Sequence, residues 1–490
     1  MAVDIRITYK DIAPYAADDA TYTGTVAESF SDFDLNAPAS RVPVASLEDD
    51  LWLLDGTYDV LEDDDTVPFW SSSLSNASGS FSTAPKITIS FSGYHSSVGL
   101  TLIFDPATGN YCSEVGIVWK RDGSTIESGT FYPDGTTYFC NQPVDLFSSI
   151  EITLTKTSVG YRRARVNQIV FGMIHDMGSE SLEEVTATSE LSLISLELPY
   201  SQLTFGIRTD EDVTFMFQNR QPVELYKDGL IGVYYFSRYQ RKKAGLYSVT
   251  AYDALGVLAE QQWQGQAYLS GVSAKTLLET IVDGQFPIEY ATGVVDATLT
   301  GVLLDQSRRD AIQQVLFAWG VCLTCRAGKI QIFNPPTTGA KEIGEAGTFI
   351  DGVINEELPI TAVNVVAHTY TQSSSGVIQI GGNRYNESKT IYTVTNPLTA
   401  VGSKPNVKSI ENATLVSTDN GQAIAQRVFE YLMRLRSLDT AILYDGEGLA
   451  DLLTIPAPSG EEITGNVEKL TLHFSGITVA QVRLTEEAES

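Results

Sequence analysis

The residues able to do chemistry are few and scattered. Cys322-Leu-Thr-Cys325 has the spacing of a redox dithiol or of half a zinc site. It sits in an alternating stretch that reads as a strand, where positions three apart face opposite sides. With Cys112 and Cys140 as the other two cysteines, no second close pair exists to complete a zinc site, so Cys322 and Cys325 read as core thiols. Cys112 and Cys140 could meet across a sheet, but four cysteines in 490 residues do not form a disulfide framework, and free thiols are expected. The four histidines, His95, His175, His368 and His473, lack any metal-binding spacing, and His368 and His473 fall inside strand patterns. No Gly-x-Ser-x-Gly elbow, P-loop or dinucleotide fingerprint occurs. Carboxylates are abundant, which leaves a glycosidase-like acid pair and a cell-wall hydrolase open as a reading, yet no two of them are singled out by position.

Three clusters suggest binding. Asp59, Glu62, Asp63, Asp64 and Asp65 supply oxygen donors of the kind that hold a structural Ca²⁺, although the spacing is not that of an EF-hand loop and a solvated charged loop is the plainer reading. Trp70, Tyr94, Trp119, Tyr132 and Tyr138 could stack on sugar rings, or some of them could be core. Arg238, Arg241, Lys242 and Lys243, with a second group at Arg162, Arg163 and Arg165, stand out against an acidic chain. They read as a solvated hairpin tip and a salt-bridged strand edge, or as a contact to an acidic neighbouring subunit that would weaken with salt.

The background that holds these residues is strongly acidic: 61 acidic against 32 basic residues give a formal charge of −29. Such a field repels phosphate backbones, so specific nucleic-acid binding is not expected, whereas a conduit past which DNA slides is compatible with it. With 43% hydrophobic residues the chain has enough apolar material for several cores. No stretch approaches the ~20 apolar residues of a membrane span. The opening residues lack the basic and apolar regions of a signal peptide, so folding in a cytoplasm is expected, and the sequons at Asn76, Asn386 and Asn412 read as chance.

Asp-Gly turns at 55–56, 122–123, 134–135, 228–229, 351–352 and 445–446 punctuate apolar-polar alternation, which predicts a mainly β, multidomain chain. Residues 1–40 read as an N-terminal strand, Ile5 to Tyr9, followed by a linker from Ala16 to Arg41. Residues 41–178 read as a sandwich, with Ile87, Ile89 and Phe91, then Leu100, Leu102 and Phe104, then Ile150, Ile152 and Leu154 each on one face. Residues 179–253 form a further β unit in which Leu191 to Leu198 is expected to be a strand covered on both faces or bulged, and Thr214 to Phe217 another strand. Residues 254–335 switch to helical spacing. Ser273 caps Ala274, Leu277, Leu278 and Ile281 before Gly284, and Ser307 caps Ile312, Val315, Leu316 and Trp319 before Gly320. Residues 336–490 return to strands, with one helix at 420–436.

From Glu184 onward the order of units and several phrases resemble the hub proteins of phage tails. The phrases are Tyr247-Ser-Val-Thr-Ala-Tyr-Asp-Ala-Leu-Gly-Val-Leu258, Ser273-Ala-Lys-Thr-Leu-Leu278, Arg308-Arg-Asp-Ala-Ile-Gln-Gln-Val-Leu-Phe-Ala-Trp-Gly320, Ala423-Ile-Ala-Gln-Arg-Val-Phe-Glu-Tyr431 and Ile463-Thr-Gly-Asn-Val467. The resemblance covers about two-thirds of the chain. It implies two related β-barrels, at 179–253 (with Ile5 to Tyr9 as a candidate strand) and 336–490, flanking a small α/β domain at 254–335. It further implies a homotrimeric ring that continues the tail tube and contacts distal tail and tape-measure proteins at the virion tail tip of a phage or prophage. The N-terminal sandwich looks like a galactose-binding-type jelly roll added to that plan, and recognition of host surface carbohydrate is the alternative role it suggests. Many tail-tip proteins carry a catalytic extension; here six residues follow Leu484, so a structural, non-enzymatic hub is expected.

Overall fold

The computed structural model describes residues 5–13, 16–30, 44–45, 48, 59–60, 68–106, 108–208, 220–243, 245–349, 352–400, 402–475 and 477–486. Strands dominate it. The chain divides into two compact units, one of Tyr9–Asp176 and one of Met1–Thr8 with Met177–Ser490.

The smaller unit is organised by two long strands, Lys86–Phe104 and Thr137–Thr157. They pair twice: Lys86 to Ser90 against Thr153 to Ser149, and His95 to Ile103 against Phe147 to Thr137, with register shifts between Asn141 and Ser149. The shifts separate two sets of neighbours. The first half of Lys86–Phe104 pairs with Ala20–Thr25 and its second half with Arg165–Val170, while the second half of Thr137–Thr157 pairs with Cys112–Arg121. Bulges let one strand serve two layers in this way. The alternation legible in the sequence points inward as expected: Ile87, Ile89, Leu100, Leu102, Phe104, Ile150, Ile152 and Leu154 share one core with Val115, Ile117 and Trp119.

Part of the expected linker is structured. The short helix α1, Ala16–Asp19, leads into Ala20–Thr25 and then Ala27–Phe30, which pairs with Phe69–Ser71. Sparse apolar residues hid these strands: Ala20, Tyr22 and Ala27 are only partly buried against the core. Asp19 adds an anchor, accepting from the Ser92 and Gly93 amides at 3.1 and 3.0 Å and meeting His95 Nε2 at 2.8 Å. The Ser92 hydroxyl, which also donates to it, then His95 and the amides hold its carboxyl well below the usual carboxylate range. Residues 31–41 lie outside the described residues.

The group Arg162, Arg163 and Arg165 divides by burial. Arg165 is buried, lies 4.2 Å over the Trp70 ring, donates to Asp105 at 2.9 Å and pairs with the buried Glu48. Glu48 also accepts from the Arg163 amide at 2.7 Å. One carboxylate thus fixes a buried guanidinium and the backbone two residues before it.

In the larger unit one sheet collects strands from both ends of the sequence. Within this unit its strands run in the order Ile5–Ile12, Pro222–Lys227, Leu230–Lys243, Leu246–Tyr252, Gln202–Arg208, Leu182–Glu190, Glu462–Ser475, Ile477–Glu486, Arg436–Leu443 and Val353–Glu356, with Leu452–Pro456 branching onto Glu462–Ser475 and Lys341–Glu342 onto Leu452–Pro456. The N-terminal strand therefore joins a later β unit. The join between early and late strands is Val185 to Glu190 running antiparallel to Phe474 to Lys469.

Leu191 to Leu198 is not a strand. Apolar residues fall on both parities because the segment threads between three cores. Leu191 and Leu193 pack with Cys322, Ile194 with Phe317 and Val363, and Leu198 with Leu255 and Leu278. A buried irregular segment must satisfy its backbone polar groups. Ser192 Oγ accepts from the Leu196 amide at 3.1 Å, Ser195 Oγ donates to Val321 O at 2.7 Å, and the Gln313 side-chain amide donates to Ser195 O and Leu196 O at 2.7 and 3.0 Å. Residues 214–217, read as a strand, lie outside the described residues.

Between the β strands sits the helical module. The helix α2 spans Ala254–Ala259, α3 Ala274–Val282 and α4 Arg308–Trp319. Ser273 and Ser307 accept from the Thr276 and Asp310 amides, as the capping patterns predicted, and Gly320 ends α4 at φ +93°. α3 ends one residue earlier than expected, with Asp283 left-handed at φ 58°. The last helix, α5, covers Gly421–Leu432, shorter than 420–436 because Arg436 opens a strand. It packs on a four-stranded sheet ordered Ile378–Ile380, Asn383–Thr395, Ala362–Gln372 and Val407–Ile410. Gly301 permits the module's closest backbone approach: at its φ of +149° an added Cβ would lie 2.3 Å from Thr414 O.

The Glu48 contacts generate a stability prediction. Glu48→Ala removes one of the two carboxylates paired with the buried Arg165 charge, and should destabilise the smaller unit by about 3 kcal/mol. Thermal unfolding of the variant checks this, and a change below about 1 kcal/mol, the scale of an exposed pair, contradicts it.

Candidate functional site

The five aromatic candidates for sugar stacking are not brought together. Trp70 and Trp119 are 3% and 1% exposed, so neither ring can offer a face to a ligand; Trp70 is covered by Arg165 and Trp119 is core. Tyr138 is half-buried against the same core. Tyr94 and Tyr132 are 55% and 65% exposed, and the Tyr94 hydroxyl donates to Asp122 at 3.0 Å. Alternation could have identified Trp119, which shares parity with Val115 and Ile117; Trp70 is buried by tertiary contacts alone.

Of the acidic run, Asp59 belongs to a short strand with Val60, and Glu62, Asp63, Asp64 and Asp65 lie outside the described residues. Among the described residues no group of three or more His, Cys, Asp or Glu side chains is placed to hold a metal ion. Arg238, Arg241, Lys242 and Lys243 are all exposed on the distal part of Leu230–Lys243. Lys242 lies 3.4 Å from Glu184, and Arg241 lies 5.9 Å over the Tyr247 ring.

The other candidates are occupied by structure. His368 Nδ1 meets Glu387 at 2.8 Å and its Nε2 meets the Glu411 carbonyl at 3.0 Å, so both ring nitrogens serve the four-stranded sheet. Cys322 faces the core beside Leu191 and Leu193, where burial pushes its thiol up to about 12. Cys325 points to the opposite side of the strand, as its spacing predicted, and packs against a different core. Cys112 and Cys140 are buried free thiols.

What sequence reasoning missed is a cavity of about 630 Å³ in the larger unit. Its walls come from the hairpin around Asp228-Gly229, from Thr324, Cys325 and Arg326, and from the turn at Asp445-Gly446 with its continuation to Asp451. Lys227 Nζ lies 5.4 Å over the Tyr444 ring and links two of these walls. Asp253 is buried in the cavity wall as the N-cap of α2. Its carboxylate accepts from the Ser201 amide at 2.8 Å and the Gly256 amide at 3.2 Å. Burial outweighs these donors and raises its carboxyl to about 6. Across the cavity, Glu447 accepts from the Asp445 amide at 2.7 Å and from Lys341 at 2.6 Å. The Asp-Gly turns signalled two of the walls; no pattern in the sequence signalled that they converge.

No family model matches the chain, and no curated protein does. Among solved structures it is similar to the tail protein from Neisseria meningitidis MC58, at 11% identity over 64% of this chain and 94% of that one, with a TM-score of 0.46. It is also similar to the prophage tail protein gp18 from Listeria monocytogenes EGD-e, at 10% identity over 64% and 92%, with a TM-score of 0.44. A third is the 43 kDa tail protein of prophage MuSo2 from Shewanella oneidensis, at 8% identity over 64% and 95%, with a TM-score of 0.42.

The Asp253 environment sets a pH dependence. Because its folded-state pKa lies above the ordinary value, the folded chain holds a proton there that the unfolded chain has released between about pH 4 and pH 6. Stability therefore falls as pH rises through that window and is level, for this group, above it. Asp253→Asn should remove that decline, so the difference in unfolding free energy between parent and variant should change by roughly 2–3 kcal/mol across the window. Denaturant melts at several pH values check it, and parallel curves contradict it.

Proposed function

We propose that the chain is a non-catalytic structural subunit of a phage-type tail tip: a hub that assembles as a ring of three copies continuing the tail tube, with the N-terminal sandwich as an accessory jelly roll. The observation that carries this reading is the sheet of the larger unit. Strands before and after an α/β module pair edge to edge, and this matches the order of units that the hub resemblance implies. The sheet also carries surface suited to being covered. Val353, on the terminal strand Val353–Glu356, is 55% exposed and Leu358 just beyond it 82% exposed. A terminal strand bearing apolar side chains is a natural place for another chain to pack. The exposed cluster Arg238, Arg241, Lys242 and Lys243 offers an acidic copy or an acidic tail partner a complementary contact. The work of such a subunit is interface burial and a smooth acidic channel, with no bond chemistry. Its partners are further copies and the tail tube, distal tail and tape-measure proteins, and its place is the virion tail tip after assembly in the host cytoplasm.

Light scattering coupled to size exclusion should give three times the chain mass, alone or with tail partners, and Arg238→Glu with Arg241→Glu should weaken that assembly, as should added salt. A stable dimer overturns the reading.

A second reading rests on the exposed rings of Tyr94 and Tyr132: the sandwich recognises host cell-wall sugars. Binding of the full chain on a glycan array, reduced about tenfold or more by Tyr94→Ala with Tyr132→Ala, is the outcome this reading expects. A blank array leaves the sandwich a structural role.

A further inference from the structure

The carboxyl end of α4 is finished by side chains from another helix. The last carbonyls of a helix have no partner within it and together carry about half an elementary negative charge. In α4 the Leu316 carbonyl accepts from the Gly320 amide at 2.7 Å. The Phe317 carbonyl accepts from the Arg427 guanidinium, and the Ala318 carbonyl from the Asn420 side-chain amide at 3.4 Å. Arg427 stands on α5, and Asn420 is the residue before its first turn. α5 packs on the four-stranded sheet, whereas most of the buried face of α4 lies in the core of the helical module.

Arg427 is half-buried, and among the described residues no carboxylate pairs with it. Burial holds its guanidinium below the ordinary arginine value. A cation withdrawn from water needs a counter-charge, and the group that faces this one is the negative end of α4. The guanidinium also lies 5.5 Å from the centre of the Phe317 ring. Phe317, 1% exposed, leaves α4 to pack in the core that α5 shares with the sheet. Gly320 makes room for the contact: an added Cβ would lie 2.2 Å from Arg427 Nη1. The same residue ends α4 through its left-handed backbone, so one glycine serves both the cap and the approach of the cation.

We propose that Arg427 is an electrostatic pin between the helical module and the four-stranded sheet, its charge balanced by the carboxyl end of α4, so that the last turn of α4 and the helix α5 each stabilise the other. A carboxylate partner would satisfy the cation at one point on the surface. A helix end satisfies it only while the last turn of α4 is formed and in place, and the two elements are thereby coupled. The pin is independent of the oligomeric state and of any partner.

Hydrogen exchange of the full chain, followed by mass spectrometry on peptides covering 314–321, 421–433 and 185–190, tests the pin with Arg427→Met, Arg427→Gln and Arg427→Lys. Arg427→Met should speed exchange in both 314–321 and 421–433 by about 10- to 30-fold, the effect of losing a partly buried cation at a helix carboxyl end. The ladder at 185–190 should stay within about threefold of the parent, because the opening is local. Arg427→Lys keeps the charge and should recover most of the loss, whereas Arg427→Gln keeps an N–H donor without charge and should not. A rise confined to 314–321 shows a cap on α4 without coupling and overturns the proposal. Unchanged exchange, an equal rise in all three regions, or recovery by Arg427→Gln as full as by Arg427→Lys overturns it too, since lost packing or one lost hydrogen bond then accounts for the result. If Arg427→Met does not fold, the comparison of Arg427→Gln with Arg427→Lys decides.

Discussion

The larger unit depends on one backbone ladder, Val185 to Glu190 against Phe474 to Lys469. Thr186 and His473, partners in it, are 287 residues apart in sequence. Closing so long a loop costs conformational entropy that no local propensity offsets, and such pairings form slowly. Once made, the ladder sets the register of every strand on either side. It thereby fixes where the helical module lies, because the chain leaves the early strands at Tyr252 and returns to the sheet only at Lys341–Glu342, beside Leu452–Pro456.

The same constraint explains the buried polar groups. Segments that pass between cores cannot carry a repeating ladder, so side chains supply their hydrogen bonds. Ser192, Ser195 and Gln313 satisfy the run from Leu191 to Leu198, and His368 bridges Glu387 and the Glu411 carbonyl. In the smaller unit Glu48 and Asp105 surround Arg165. Each network is expensive to leave half made, which favours one arrangement over its near alternatives.

Local chemistry made much of this legible in advance. Ser273, Ser307 and Gly320 announce helix ends because capping is decided within four residues, and Ile87, Ile89, Ile150 and Ile152 announce inward faces because strand side chains alternate. The strands Ala20–Thr25 and Ala27–Phe30 leave a weak trace because Ala20, Tyr22 and Ala27 reach the core only in part. Leu191 to Leu198 was misread because apolar residues on both parities describe burial on all sides without saying whether the backbone is extended. The aromatic candidates were equally ambiguous: Trp119 and Tyr94 are both strand aromatics, and only the packing around them separates a core ring from an exposed one.

The sequence by itself determined the mainly β class, the helix caps, the inward-facing residues of the smaller unit's strands and the opposite facing of Cys322 and Cys325, since each follows from interactions between residues near in the chain. Tertiary structure decided which strands share a sheet, which basic residues are buried beside carboxylates, and that Tyr234, Asp253, Cys325 and Glu447 line one cavity. Those outcomes depend on contacts between residues hundreds of positions apart, whose free energies are set by burial and register and leave no periodic trace in the chain.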